Sequence, residues 1–427
     1  MTSKKQLKAR IRARMAKTGE SYTAARRHVA GAGVAGPRDG AWRFHGGVHA
    51  GSAVIASVLG NGGAEVAEPL VFLAGGGIGA GYILWEFKRH DSRHLTLGFR
   101  NQWQYPIAWM DKTLGRLGVR YETHSTAGAK GAAARLAAEL DAGRPCVILP
   151  DRYHLGLWGL PAHLDGHGGH PVIAYRREDG VVRLDDRGLA PLLVPQERLD
   201  AARARVSSYK NVLHVVPDPT PVAEETLVRA LREGLGECVG QLSKPSDSFS
   251  LPAWRKWARL MTDTRNAKAW PAVFADGRGL AGALLAVWEG VEPVGADGGN
   301  LRGLFGDALE AAAEPLGVPE LKERAAEWRG VDAMWHDLAE AALPADVPEF
   351  ARLRELTAAV RETLHAEGTA GAAEIEEAAG ELWAARAEYD VRFPLGDPGP
   401  LFEDLSARLH AVHEAETEAV ARLRALV

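Results

Sequence analysis

Residues 46–63 read GGVHAGSAVIASVLGNGG, a histidine set among very small residues where a helix starts. Val54, Ile55, Val58 and Leu59 recur at helical spacing, and Gly60, Asn61, Gly62 and Gly63 form a stop. Ser52 is the expected N-cap. A side chain at position 50 then falls at the positive end of the helix dipole, where an anion or a thiolate is stabilised. Many cysteine-based acyl-transfer sites are built this way, but this chain has Ala50 there.

The segments after this helix set the fold class. Residues 69–85, PLVFLAGGGIGAGYILW, read as a buried strand, a glycine turn and a second strand. Strand-like runs cover 70–73, 82–87, 95–99, 146–149, 171–175, 181–184 and 212–216, with helical patterns at 107–117 and 132–140. An early helix and then an antiparallel set of strands predict α+β rather than a doubly wound sheet. After a linker, PDPTPVAEE at 217–225, the chain is rich in Ala, Glu, Arg and Leu and reads as helical to its end. The expected division is a basic arm at 1–37, an α+β domain at 38–217 and an all-α domain at 218–427.

Composition narrows the function classes. The 427 residues are 46% apolar and 25% charged with a net charge of −4, which points to no nucleic-acid or membrane partner. Two cysteines, Cys146 and Cys238, exclude a disulfide framework and a cysteine zinc cage. They fit a reducing cytoplasm, and no apolar leader segment comes after the basic N-terminus. Residues 1–30 hold nine Lys or Arg and one acid, Glu20, so the arm is either a solvated extension or an element that docks a partner or binds nucleic acid.

Several motifs divide between a structural and a chemical reading. GGGIGAGY at 75–82 fails the dinucleotide spacing, and Gly77 and Gly79 are expected in a tight turn beside a ligand or backbone. HLDGHGGH at 163–170 offers three histidines and Asp165, but its glycines prevent the frame a metal needs, so no metal or cofactor is expected. It reads instead as a loop delivering His170 to the start of a strand. HPVIAYRREDGVVRLDD at 170–186 is then a hairpin with His170 at one end and Asp185 at the other. A histidine oriented by a carboxylate is the base half of a nucleophile–His–Asp site. A two-residue Asp179-Gly180 turn would pair Asp185 with Ala174, whereas a four-residue loop would place it opposite His170; Asp186 is the second choice. Cys146 reads as a buried inert thiol. Asp151 and Tyr153, at a strand end, are candidate cleft residues. Trp254, Trp257, Ala258 and Met261 form one helical face, expected to be covered.

Taken together, GGVHAGSA, GGGIGAGYILWEF, AGRPCVILPDRYHL and GGHPVIAYRREDGVVRLDD, with LRGLFGDALEAAAEPLG and AAEWRGVDAMWHDLAEAALP in the helical half, resemble the butirosin biosynthesis protein H family. The resemblance implies a papain-like fold and a helical companion domain. It also implies acyl transfer, in secondary metabolism, from a carrier-protein thioester to an amine through an acyl-cysteine. His49 matches the histidine of the family's His-Cys pair, Ala50 stands where the cysteine should be, and His170 and Asp185 match the base and its orienter. Ser52, two residues on, is turned away by about 200° at 100° per residue. Two readings stay open. One is a noncovalent acyl or amide-forming transferase using His170 on a small-molecule amine or acyl substrate, with an acyl carrier protein as donor. The other is a pseudoenzyme that binds a metabolite or partner in the cleft. The helical half is expected to cap the cleft or to form a homodimer interface.

Overall fold

The computed structural model describes residues 37–87 and 92–427; the basic arm lies outside them, apart from Pro37. The opening helix, α1 (Ala50–Asn61), starts where the small residues begin. Its N-cap is His49 rather than Ser52: the His49 side chain accepts from the Ser52 backbone N–H. The segment at 70–73, expected as a strand, is part of helix α2 (Glu68–Ala74). Pro69 in its first turn is a helix-start signal, and a four-residue apolar run fits a helix as well as a strand.

Two sheets come next. Strands β1 (Ile78–Phe87) and β2 (Ser92–Arg100) form an antiparallel hairpin. After them are α3 (Pro106–Arg116), β3 (Glu122–His124), α4 (Ala129–Asp141), β4 (Cys146–Ile148) and the one-turn α5 (Arg152–Leu155). The chain then runs through β5 (Val172–Glu178), β6 (Val181–Asp185), β7 (Leu192–Pro195), α6 (Gln196–Arg205) and β8 (Leu213–Val215). The main sheet has six strands in the order β3-β8-β4-β5-β6-β7, antiparallel throughout. This is the expected α+β class.

Side-chain alternation gives the sheet two buried faces. Val147, Leu149, Ile173 and Tyr175 pack with Val54, Ile55, Val58 and Leu59 of α1 and Trp109 of α3. Ile148, Val172, Ala174 and Leu184 pack with Leu136 of α4 and Leu199 of α6, and also with Val360, Leu364, Ile375 and Ala379 from the C-terminal helices.

From Glu224 onward the described chain is helical. The elements used below are α7 (Glu224–Leu242), α8 (Pro252–Thr262), α9 (Trp270–Val273), α10 (Leu280–Val291), α11 (Arg302–Leu316), α12 (Leu321–Ala342), α13 (Pro348–Glu367), α14 (Ala372–Val391) and α15 (Gly399–Arg424). The Trp254, Trp257, Ala258 and Met261 face of α8 is fully covered. It packs on the β1–β2 hairpin, where the Tyr82 and Trp257 rings stack with their centroids 5.2 Å apart. Ile78, Ala80, Tyr82, Leu95 and Phe99 of the hairpin belong to the same core as the helices, so apolar packing runs straight across residue 217.

At the centre of that core lies a fully buried ion pair, Arg302 Nε to Glu416 Oε1 at 2.8 Å. Glu416 also accepts from Trp254 Nε1 at 3.1 Å and Trp335 Nε1 at 2.8 Å. Arg302 reaches the hairpin carbonyls of Gly79 at 3.0 Å and Phe99 at 3.4 Å. Both charges are hydrogen-bonded on several sides, which is what makes them tolerable there. No described helix is long and apolar enough to cross a membrane.

Candidate active site

Helix α1 presents its N-terminus to a cavity of about 510 Å³. His49, Ala50 and Gly51 line it together with β2, Trp103 and Trp109. The opposite wall comes from the helical half: Glu289 and Gly290, the 295–299 loop, and Arg361. A second cavity of about 270 Å³ adjoins it, sharing Gly295 and Arg361, and is lined by Trp158, Asp186, Arg187 and Trp288 among others.

The α1 N-terminus is organised by Glu68 and His49. Glu68 accepts the backbone N–H groups of Val48 at 3.0 Å and His49 at 2.9 Å, and the Ser52 hydroxyl at 3.2 Å. The His49 ring lies edge-on to Phe72 and Trp109, and its Nδ1 is 3.0 Å from Ser52 Oγ. Gly51 is required under that ring: a Cβ there would stand 2.8 Å from Trp109 and 2.9 Å from His49. Burial first, and then Arg100, Arg187 and His170, hold the His49 pKa well below its usual value. His49, expected as a catalytic residue, thus serves as the N-cap of α1, with its ring at the cavity wall. Ser52 is fully buried between His49 and Glu68, away from both cavities. The backbone N–H groups of Ala50 and Gly51 have no acceptor among the described residues.

The base and its partner differ from expectation by one residue. The hairpin does use the two-residue Asp179-Gly180 turn, with φ of 49° and 75° as that tight turn requires. A bulge between Ala174 and Arg176 then shifts the register, pairing Asp185 with Ile173. Asp185 thus faces the α1 side of the sheet, where Trp42 Nε1 donates to it at 3.0 Å. Burial pushes the Asp185 pKa up to about 7 against that donation. The next residue turns the other way, and Asp186 Oδ1 lies 2.7 Å from His170 Nε2. Asp186, the second choice, replaces Asp185 as the orienting carboxylate.

Burial is the largest influence on His170 and lowers its pKa despite Asp186. Asp186 is held below the usual carboxylate range: His170 and Arg187 outweigh its own burial. His170 is 4% exposed, with Trp158 edge-on at 5.6 Å. Its chain neighbours Gly169 and Pro171 line the larger cavity, while Asp186 and Trp158 line the smaller, so the ring stands in the wall between them. With Nε2 on Asp186, Nδ1 has no hydrogen-bond partner among the described residues. The pair is a neutral imidazole held in one orientation by a carboxylate, ready to accept a proton at Nδ1.

The other expected cleft residues lie elsewhere. A Cβ on Gly77 would stand 3.0 Å from Phe305, and one on Gly79 would stand 2.4 Å from the Arg100 carbonyl. Both face protein rather than cavity. Asp151 caps α5, accepting from the His154 N–H, and Tyr153 packs edge-on to His154. The residue between them, Arg152, is the one that lines the larger cavity. Within HLDGHGGH the histidines do not converge: His163 packs on Trp383, and His170 pairs with Asp186. Asp165 joins Asp151 and His154 in a group with metal-like spacing. Asp165 also binds Arg205 at 2.5 Å and Asp151 accepts the Gly166 N–H, so these contacts clasp the loop. Cys146 and Cys238 are both buried, and burial pushes each thiol up to about 12. Neither lines a cavity, and no cysteine or serine is among the lining residues.

Sequence reasoning missed Arg152, Arg187 and Arg361. Arg187 donates to the Val48 carbonyl at 2.5 Å and to the Ala296 carbonyl at 2.8 Å, tying the start of α1 to the helical half. Its position beside the HPVIAYRREDGVVRLDD stretch was the available signal. Arg361 had none, because it lies about 170 residues further along the chain.

Residues 49–187 match the family described as butirosin biosynthesis protein H, N-terminal. The match begins at the capping histidine and ends at Arg187, enclosing Ala50, His170 and Asp186, and the helical region comes after it. This part of the chain is a domain of that family, and the membership suggests an acyltransferase-like role. A comparison with curated proteins finds no match.

Proposed function

We propose that the protein transfers an acyl group from a thioester donor to an amine without a covalent enzyme intermediate. The observation that carries this reading is the His170–Asp186 pair beside a cavity whose wall holds Ala50 at the start of a helix. In the reaction the amine nitrogen attacks the thioester carbonyl carbon while His170 Nδ1 takes the amine proton. Negative charge gathers on the carbonyl oxygen, and the N–H groups of Ala50 and Gly51 are the available donors for it. The C–S bond then breaks and the thiolate leaves with the proton from His170, giving an amide and a thiol. A positioned base is worth roughly 10²–10⁴-fold, and orientation of two bound reactants adds to it. The substrate class expected from the family is a small-molecule amine, with an acyl carrier protein as donor.

Ala50 favours a second reading, in which the protein binds or presents a metabolite in the cavity without turning it over. One experiment separates the two. The protein is incubated with an aminoacyl N-acetylcysteamine thioester and a panel of amines that includes aminoglycosides, and amide is followed by mass spectrometry. Amide formation above background, lowered about 100-fold or more by His170→Ala, supports transfer. Background-level amide across the panel, together with a small molecule retained in native mass spectrometry, supports binding.

A further inference from the structure

Arg302, Arg187, Arg100 and Arg203 are buried or half-buried, and each donates from its guanidinium group to protein acceptors. Arg302 has Glu416 and three backbone carbonyls. Arg187 has Asp186 and two carbonyls. Arg100 donates to the carbonyls of Asn101 at 2.7 Å and Trp103 at 3.3 Å. Arg203 donates from both terminal nitrogens to the carbonyls of Ala132 and Asn211, and only its Nε has no partner. Arg152 and Arg361 are different. Neither guanidinium group has a hydrogen bond or an ion pair to any described residue, and both arginines line the larger cavity. Arg152 lies over the Trp158 ring at 5.1 Å, with its Nε buried and unpartnered. Arg361 projects from α13 at the junction of the two cavities.

The two guanidinium groups are also close enough that Arg152 lowers the pKa of Arg361, after burial itself, to about 9. Two carboxylates, Glu289 and Asp297, line the same cavity, yet neither pairs with Arg152 or Arg361; Glu289 is 4.0 Å from Arg386. Asp186, Glu289 and Asp297 act on Arg152, and Asp186 and Glu289 on Arg361, through space only, so both guanidinium groups keep hydrogen-bond donors that no protein acceptor takes up in a cavity held out of bulk water. The guanidinium fork matches an oxyanion's geometry, offering paired N–H donors to a carboxylate or a phosphate.

We infer that Arg152 and Arg361 form a binding site for an oxyanion group, carboxylate or phosphate, carried by the ligand of the main cavity. The site lies on the wall formed jointly by the family domain and the helical half, and the helical half supplies Arg361. The inference rests on the transfer reading only for which ligand carries the group: a phosphate on the thioester donor's arm, or a carboxylate on the acyl group or acceptor.

The test measures binding without turnover. Full-length protein is titrated calorimetrically with inorganic phosphate, 4′-phosphopantetheine, pantetheine and glutarate. Arg152→Met and Arg361→Met are compared with Arg329→Met, which removes an exposed arginine paired with Asp307 and Glu310. The expected result is one site for an oxyanion probe, weakened about tenfold or more by Arg152→Met and by Arg361→Met and unchanged by Arg329→Met. Tighter binding of 4′-phosphopantetheine than of pantetheine identifies the donor arm, and tighter binding of glutarate identifies a carboxylate ligand. Thermal melts of the two cavity variants check that each is folded, so a loss of binding reads the missing guanidinium group rather than unfolding. Absence of oxyanion binding, or binding that both variants retain, overturns the inference. Anion binding is read by calorimetry and transfer by amide formation, so anion binding can stand if transfer fails, and transfer can stand if anion binding fails.

Discussion

Replacing Glu416 by glutamine tests whether one buried ion pair joins the β1–β2 hairpin to the helices. The carboxylate accepts four N–H donors: Arg302 Nε at 2.8 Å, Arg302 Nη2 at 3.0 Å, Trp254 Nε1 at 3.1 Å and Trp335 Nε1 at 2.8 Å. Glutamine keeps the shape but offers one oxygen. Its NH₂ group must face two of those donors, and Arg302 is left as a buried charge without a counterion. Breaking a buried pair from one side costs about 3–5 kcal/mol, and that figure already includes much of the stranded partner's desolvation. Each orphaned indole N–H adds about 1–3 kcal/mol. The expected loss is therefore roughly 4 kcal/mol or more. With a urea slope of about 3 kcal/mol per molar, the midpoint should fall by about 1 M or more. Tryptophan fluorescence is the natural readout, because Trp254 and Trp335 sit on the group being changed. Removing both partners as Arg302→Met/Glu416→Met should be less harmful than the two single changes summed, giving a large favourable coupling in the double-mutant cycle. A Glu416→Gln loss under about 1 kcal/mol, or a coupling near zero, would refute the idea that the pair holds the two parts together.

The site and its surroundings carry three further expectations. Asp186→Asn should lower the His170 pKa further in an NMR titration, because a raising influence is lost, whereas Asp185→Asn should leave it unchanged; equal effects would contradict the bulged register. Ala50→Cys should place a thiol at a helix N-terminus, where pKa values fall. It should react with iodoacetamide at neutral pH faster than Cys146 or Cys238, and His170→Ala should slow it; a thiol no faster than a free one and indifferent to His170 would mean the catalytic geometry is absent. His336 is penalised by burial, yet Asp332 and Glu292 raise its pKa to about 10. A raised folded pKa gives stability that is full below about 6.5 and is lost as pH climbs through 10, so the urea midpoint should decline over that range and His336→Gln should flatten the decline.

The parts of the fold that the chain discloses are those governed by short-range patterning. The 146–149, 171–175 and 181–184 runs are apolar and β-branched, and they form strands. The helical face of Trp254, Trp257 and Met261 comes directly from three- and four-residue spacing. The 70–73 run is ambiguous because four apolar residues satisfy either period, and Pro69 is the deciding signal. The orienting carboxylate is displaced by one position because a bulge at Tyr175 shifts the register, and nothing in the hairpin's local pattern announces an extra residue. The His49 ring is occupied as a cap, a role set by the approach of Phe72, Trp109 and Glu68 from other elements. Its immediate neighbours in the chain carry no trace of that. Arg361 is illegible for a simpler reason: its partnership with Arg152 spans more than two hundred residues, and only tertiary structure brings the two charges together.

The shared core of the hairpin and the helices bears on how such proteins can be recombined. The family domain contains β1 and β2, whose Ile78, Tyr82, Leu95 and Phe99 are buried by helices outside that domain. A chain cut at the linker would expose that apolar surface to water and remove the wall that carries Arg361. The linker at 217–225 thus joins parts of one core rather than separating two units of folding. A chimera built from two relatives will keep its hairpin, its cavity and its arginine pair only if α8, α11 and α13 travel from the same parent as the strands they cover.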